Sequence, residues 1–346
     1  MSAELEVVSA GALASVQDLG RVGSRRLGVP RAGALDPVAL RIANALAGND
    51  AGHAGIEFFV AGPTLRAHGA PVVVGCAGDF SVTLVRDGAS AALESWRSVT
   101  LLPGDTLRLG QPTAGRVGCI AVQGLSVANV LGSASTYARA AMGGVAGRPL
   151  AAGDRLVAAA AAADAPLRTL PPRARPARTT PLRIRVVLGP QDDHFDAAAL
   201  AVFLDGEYRV SSDADRMGVR LEGPVLAHRA DKGAEIVSDA TVPGSVQVPG
   251  SGLPIVLLAD GQTVGGYPKI ATVVTADLPA LATAAVGTTV RFEAVSVDAA
   301  VAQAREHEAE TLGRIAAITL LNVHDGVDLQ AIYASNLVSG MIDALE

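Results

Sequence analysis

The rhythm of turns restricts this chain more than any other feature of its sequence. From Pro71 onward, short apolar runs are cut by Gly, Pro and Asp at close and fairly even intervals. Pro71 to Gly75 is followed by Ser81 to Arg86, which closes on Asp87-Gly88, a pair suited to the positive backbone angles of a tight hairpin. Val99 to Leu102, the turn Pro103-Gly104-Asp105, Thr106 to Leu109 and Val117 to Val122 continue the pattern. Segments this short leave no room for long helices, so a β-sandwich or barrel is predicted. One helix stands out: Asp36 as N-cap, Pro37 at the first helical position, Val38, Ile42 and Leu46 on one face, and Gly48 just past the end.

The second half repeats the texture. Leu182, Ile184, Val186 and Leu188 alternate with charged residues at the period of a half-buried strand, and Val290, Phe292 and Ala294 do so again near the end. A short helix is expected over Asp193 to Phe203. Between the halves, alanines give way to Pro166, Pro171, Pro172 and Pro176 interleaved with Arg168, Arg173, Arg175 and Arg178, with no apolar face. This reads as a solvated basic linker, or as a set of arginines able to grip an anion. After Val297 the texture becomes helical, with Asp298 as a candidate N-cap and then Leu329, Ile332, Tyr333, Leu337, Met341 and Leu345 on one face of a second helix. The expected organisation is a β-rich half over 1–165, a Pro/Arg linker over 166–180, a second β-rich half over 181–296 and a helical tail over 297–346, mainly β with some α.

Composition narrows the function classes. Apolar residues make up 49% of the 346, charged residues 18% and aromatics 3%, and the formal charge is −6. Such a chain is globular and has no basic stripe to offer a phosphate backbone, so nucleic acid is not an expected partner. No run approaches the roughly 20 apolar residues of a membrane span. The start carries Glu4 and Glu6 where a signal peptide needs positive charge, and Cys76 and Cys119 lack metal-ligand spacing. A cytoplasmic, reduced setting is the expectation.

Standard catalytic devices are missing from the sequence: there is no phosphate loop, no His-Glu-x-x-His or Cys-x-x-Cys pair, and no Gly-x-Ser-x-Gly elbow. His194 beside Asp192 and Asp193 is explained by a helix start. Polar residues instead concentrate in Gly/Pro-rich segments. In Ser211 to Gly218, Arg216 lies close in sequence to Arg220, a pairing suited to gripping a carboxylate or phosphate, or to structural pairing with Asp213 or Asp215. In Gln262 to Ile270, Gly265 and Gly266 permit close backbone approach, Tyr267 and Lys269 supply a hydroxyl and an ammonium, and Gln262 adds an amide. A plain turn needs the glycines but neither the lysine nor the glutamine.

The ordered set QDLGR (Gln17–Arg21), GVPRAGALD (Gly28–Asp36), RIANALAGN (Arg41–Asn49), DRMGVRL (Asp215–Leu221), QVPGSGLPIVLLADGQT (Gln247–Thr263) and GGYPKIATV (Gly265–Val273) closely resembles the family called 5-oxoprolinase C subunit, biotin-dependent carboxyltransferase or allophanate hydrolase subunit 2. The resemblance spans roughly residues 5 to 295. It implies tandem cyclophilin-like β-barrel subdomains and a smaller partner, the B-type subunit, the two together being similar to the carboxyltransferase region of urea carboxylase. With an A-type subunit added, it implies an ATP-dependent 5-oxoprolinase yielding L-glutamate from a lactam, in which the isolated chain is inactive. Some relatives are described instead as antagonists of a histidine-kinase inhibitor, and a carboxyltransferase component acting on a urea-like amide is a further reading.

Two departures qualify what is carried over. Val264 stands where the family often has a second threonine, and Val248-Pro249-Gly250 lacks a further proline. No Met-Lys-Met segment is present to carry biotin covalently. The expected site places Lys269 and Tyr267 in catalysis, with Arg216, Arg220, Gln262, Gly265 and Gly266 binding substrate in a pocket shared with the partner subunit.

Overall fold

A computed structural model describes residues 2–177 and 180–321, together with the backbone of 323–324 and 327–328. Eleven strands build the first half: β1 (Ala3–Ser9), β2 (Leu13–Gln17), β3 (Gly55–Phe59), β4 (Thr64–Gly69), β5 (Val72–Ala77), β6 (Phe80–Arg86), β7 (Ala89–Leu93), β8 (Ser98–Leu101), β9 (Thr106–Pro112), β10 (Val117–Val122) and β11 (Arg155–Ala158). They form a six-stranded sheet ordered β11-β1-β4-β9-β6-β7 and a five-stranded sheet ordered β2-β3-β10-β5-β8. Leu5, Leu65, Leu107, Ile56, Phe58 and Ile120 fill the core between them.

The five-stranded sheet is covered on both faces, which is why β5 and β10 read as unbroken apolar runs. Ile120 and Val122 point into the inter-sheet core, while Cys119 and Ala121 face helix α1 (Pro37–Ala47). The helix begins and ends where the sequence places it: Asp36 accepts from the Ala39 amide at 2.9 Å and Gly48 takes a φ of 82°. Gly75 lets α1 lie against β5, because a Cβ there would stand 2.2 Å from the Ala43 carbonyl oxygen. Both cysteines are buried free thiols, and burial pushes the Cys76 thiol up to about 12.

The second half closes into a barrel. Short β12 (Arg168–Thr169) leads to β13 (Leu182–Leu188), β14 (Tyr208–Val210), β15 (Gly218–Glu222), β16 (Asp239–Ala240), β17 (Ser245–Gln247), β18 (Ile255–Leu257), β19 (Val264–Gly265), β20 (Lys269–Val273) and β21 (Thr289–Ala294). Seven of these run β13-β20-β17-β18-β15-β14-β21 around the barrel, with β13 and β21 parallel and the other neighbours antiparallel. Strands β16 and β19 form a small ribbon of their own. Helix α2 (Ala197–Asp205) is capped by Asp196, so the helix expected from Asp193 starts one short 3-10 turn later. Helix α3 (Leu278–Ala282) follows β20. The mainly-β expectation holds, as one closed barrel beside a pair of facing sheets.

The segment expected to be a solvated linker is packed instead. Leu170 is fully buried, Arg168 pairs with Leu320 of β22 (Thr319–Leu320), and Arg175 donates to the Leu170 carbonyl and to Glu94. The tail begins as α4 (Val297–Ala316), capped by Ser296 rather than by Asp298. It lies against α1, where Arg41 grips Glu308 with two bonds of 2.7 and 2.8 Å, and its Ile315 packs on the core. The second tail helix, expected over Leu329 to Leu345, falls outside the described residues. Among the described residues no helix is long and apolar enough to cross a membrane.

Candidate functional site

The two halves meet along a seam stitched by arginines, of which Arg116 and Arg216 are buried. Glu57 on β3 is shielded from solvent and accepts from the Leu35 amide at 2.6 Å, while Arg216, just before β15, reaches across to the same carboxylate. The Arg216 fork also holds Asp260 through two bonds of 3.0 Å and donates to the Gly33 carbonyl at 2.6 Å. Burial pushes the Glu57 carboxyl up, and Arg216 with the Leu35 and Asp36 amides offsets only part of that. Arg116 adds a second stitch, donating to the Ala282 carbonyl at 2.9 and 3.2 Å and to that of Ala214 at 2.7 Å. Arg25 adds a third through the carbonyls of Thr241 and Gln262.

Beside this seam runs a groove of three adjoining cavities. The first, of about 180 Å³, is lined by Gln17, Thr136, Arg139, Asp215, Arg216 and Asp260 among others. The second, of about 240 Å³, shares Arg139, Asp215 and Met217 with it and adds Asp213, Arg220, Gln247, Gln262 and Tyr267. A third, of about 400 Å³, continues past Arg220 and Tyr267 towards Pro249, Ser251 and Pro254. Both halves of the chain contribute walls. The middle cavity offers guanidinium groups from Arg139 and Arg220 and a phenol from Tyr267, set against the carboxylates of Asp213 and Asp215. Such a lining suits a small molecule carrying both hydrogen-bond acceptors and N–H donors.

The structure separates the residues that the sequence put together. Arg220, Gln262 and Tyr267 share the middle cavity, and Tyr267 is 42% exposed. Arg216 borders the neighbouring cavity, but its fork is committed to Glu57, Asp260 and Gly33. The partners of this fork are groups of the chain itself, and they are neither Asp213 nor Asp215. Lys269 lines none of the three cavities: it is 1% exposed, and its ammonium lies 2.9 Å from Asp239. Hydrogen bonds from Lys269, the Ala240 amide and Gln191 hold the Asp239 carboxyl below the usual carboxylate range. Gly265 shapes the wall indirectly, since a Cβ there would stand 2.5 Å from the Gln247 side-chain nitrogen, and the Gly266 carbonyl accepts from the Ile236 amide at 2.9 Å.

Arg139 and Gln247 line the middle cavity as well, although neither is among the residues expected there. Gln247 is buried, its oxygen accepts from Gln262 at 2.9 Å, and its nitrogen has no hydrogen-bond partner among the described residues. The signal for Arg139 was the Gly143-Gly144 and Gly147 cluster that follows it. Among the described residues no group of His, Cys, Asp and Glu is placed to hold a metal ion.

The carboxyltransferase domain model, subdomains A and B, matches residues 27–294. The 5-oxoprolinase C subunit of Escherichia coli is 36% identical over 303 residues, covering 86% of this chain and 93% of that protein. Its namesake in Haemophilus influenzae is 38% identical over 313 residues, covering 88% and 95%. Among solved structures, the urea amidolyase of K. lactis superposes with a TM-score of 0.81 at 29% identity, over 90% of this chain but only 20% of that much longer one. Matched by the domain model over most of its length and by two 5-oxoprolinase C subunits over nearly all of theirs, the chain belongs to the carboxyltransferase subdomain A and B family.

Proposed function

We propose that this chain is the C-type subunit of an ATP-dependent 5-oxoprolinase-type complex, acting with A-type and B-type subunits to open 5-oxoproline to L-glutamate. The supporting observation is the near end-to-end similarity to two 5-oxoprolinase C subunits, joined to a groove whose lining matches a lactam acid. Ring opening adds one water across the lactam C–N bond. In this reading Arg220 anchors the substrate carboxylate, and the Tyr267 hydroxyl donates to the lactam oxygen as charge develops there. The Gln262 and Gln247 amides hold the wall behind them. Lys269 acts from outside the cavity, fixing Asp239 and the β16–β19 ribbon next to Tyr267.

In this reading ATP is held by another component of the complex. Among the described residues the longer helices start at side-chain caps, Asp36, Asp196 and Ser296, and none opens from a glycine-rich phosphate turn. The nucleotide step is assigned to another component of the complex, and biotin has no attachment lysine of the usual kind here. A second reading, a carboxyltransferase component acting on a urea-like amide, draws support from the likeness to urea amidolyase. Turnover of lactams and ureas by the reconstituted three-component mixture, read as phosphate release, tests both. The expectation is 5-oxoproline-dependent release that needs all three components and falls with Tyr267→Phe. Robust turnover by the isolated chain overturns its assignment to a heteromeric enzyme, and unchanged turnover in Tyr267→Phe points to a regulatory binder.

A further inference from the structure

We infer that Arg139, contributed by the first half, is a specificity-determining residue that reads an anionic group of the ligand in the cavity it shares with Arg220. The inference rests on the groove being the substrate site. Arg139 lines both the first and the middle cavities, so it stands where they join. Among the described residues neither Arg139 nor Arg220 makes a side-chain hydrogen bond or ion pair, whereas the seam arginines Arg25, Arg116 and Arg216 are all committed. The nearby carboxylate of Asp215 is partly spent, accepting from the Met217 and Gly218 amides at 2.7 and 3.2 Å.

The segment that presents Arg139 is built to hold its place. Tyr137 and Met142 bond to each other through both backbone amides, and the Ala140 amide donates to the Tyr137 carbonyl. Gly144 and Gly147 take φ values of 55° and 70°, and a Cβ on either would meet Thr136 or Ala141 at 2.0 and 2.2 Å. Leu131, Ala141 and Ala146 also adopt positive φ, a conformation costly for residues with a Cβ and typical of sites where shape serves binding. Beneath them Asp18 accepts from the hydroxyls of Ser133 and Ser135 at 2.6 and 2.5 Å and from the Ala134 amide at 2.7 Å. Arg21 ties the same stretch through the carbonyls of Val130 and Ser135. The backbone is fixed while the guanidinium stays uncommitted, an arrangement suited to recognition.

Titration calorimetry on the full-length chain, with L-5-oxoproline and its neutral carboxamide as probes, tests this. Arg139→Gln is expected to weaken the carboxylate probe on the order of 10- to 100-fold, the range for one charge-assisted hydrogen bond. The carboxamide is expected to bind the variant and the parent chain alike, and the salt dependence of carboxylate binding should shrink. Arg139→Lys, which keeps the charge, should recover part of the loss. Equal weakening of both probes, or no change for the carboxylate, overturns the role of Arg139. A loss in Arg220→Gln with none in Arg139→Gln overturns this inference while leaving the groove as the site. Failure of the parent chain to bind either probe, alone or within the reconstituted complex, overturns both.

Discussion

Arg216 and Arg220 lie four residues apart in one motif, yet one is locked into the seam and the other lines the groove. Arg216 is buried and surrounded by Glu57, Asp260 and the Gly33 carbonyl; Arg220 is exposed and faces open cavities. Residue type and spacing were the same evidence for both. What differs is the availability of acceptors within the chain, since a guanidinium whose fork is filled by carboxylates has nothing left for a ligand. An arginine motif thus identifies a binding site only where the fold leaves the cation unsatisfied.

The largest expected effect breaks the seam. Arg216→Met removes the only ion-pair partner that the described residues give Glu57 and leaves that carboxylate shielded from water. Loss of one partner of a buried pair costs about 3–5 kcal/mol, so the urea midpoint should fall strongly, with ligand binding weakened only as far as folding is. An Arg216→Met protein of unchanged stability that no longer binds the carboxylate probe would move Arg216 back into the groove. Arg220→Gln is the contrasting variant, expected to keep stability within about 0.5 kcal/mol because it sits on the surface.

A smaller effect separates Lys269 from the chemistry. Its ammonium is spent on Asp239 and walled off from the cavities, so Lys269→Met is expected to lower turnover of the reconstituted assembly by less than about tenfold. A residue that stabilises charge in the transition state would cost on the order of 100-fold or more. Steady-state kinetics of this one variant decides between a support for the ribbon and the catalytic role that the GGYPK motif suggested.

Much of the architecture was legible because its causes are local. Asp36, Pro37 and Gly48 specify α1 through hydrogen bonds within a few residues, and the alternation of Leu182, Ile184 and Val186 specifies β13. Tyr267, Gln262 and Arg220, expected together from their motifs, line one cavity. The contacts that the sequence did not show are distant. Arg216 finds Glu57 across 159 positions, Lys269 meets Asp239 because the β16–β19 ribbon folds back, and Arg139 enters the groove only once the halves dock. The same holds for the linker, whose prolines and arginines say nothing of the Leu170 burial that ties it down.

The smallest effect concerns the platform under Arg139 and sharpens the contrast between the halves by pH. Burial pushes the Asp18 carboxyl up, but the hydroxyls of Ser133 and Ser135 and the amides of Gly20 and Ala134 outweigh it and hold the group below the usual carboxylate range. A carboxylate whose folded value is depressed contributes stability above its unfolded value, near 3.9, and loses it as pH falls through the lower folded value. Asp18→Asn removes that charge at every pH. Asp18 is partly open to solvent, so the cost of the variant at neutral pH is set at only about 1 kcal/mol. The gap in urea midpoint between the parent and Asp18→Asn should therefore persist down to about pH 5 and close progressively below about pH 4. A gap that stays constant down to about pH 3 would show that the Ser133–Ser135 turn is held by shape alone, and that the platform of Arg139 does not depend on the Asp18 charge.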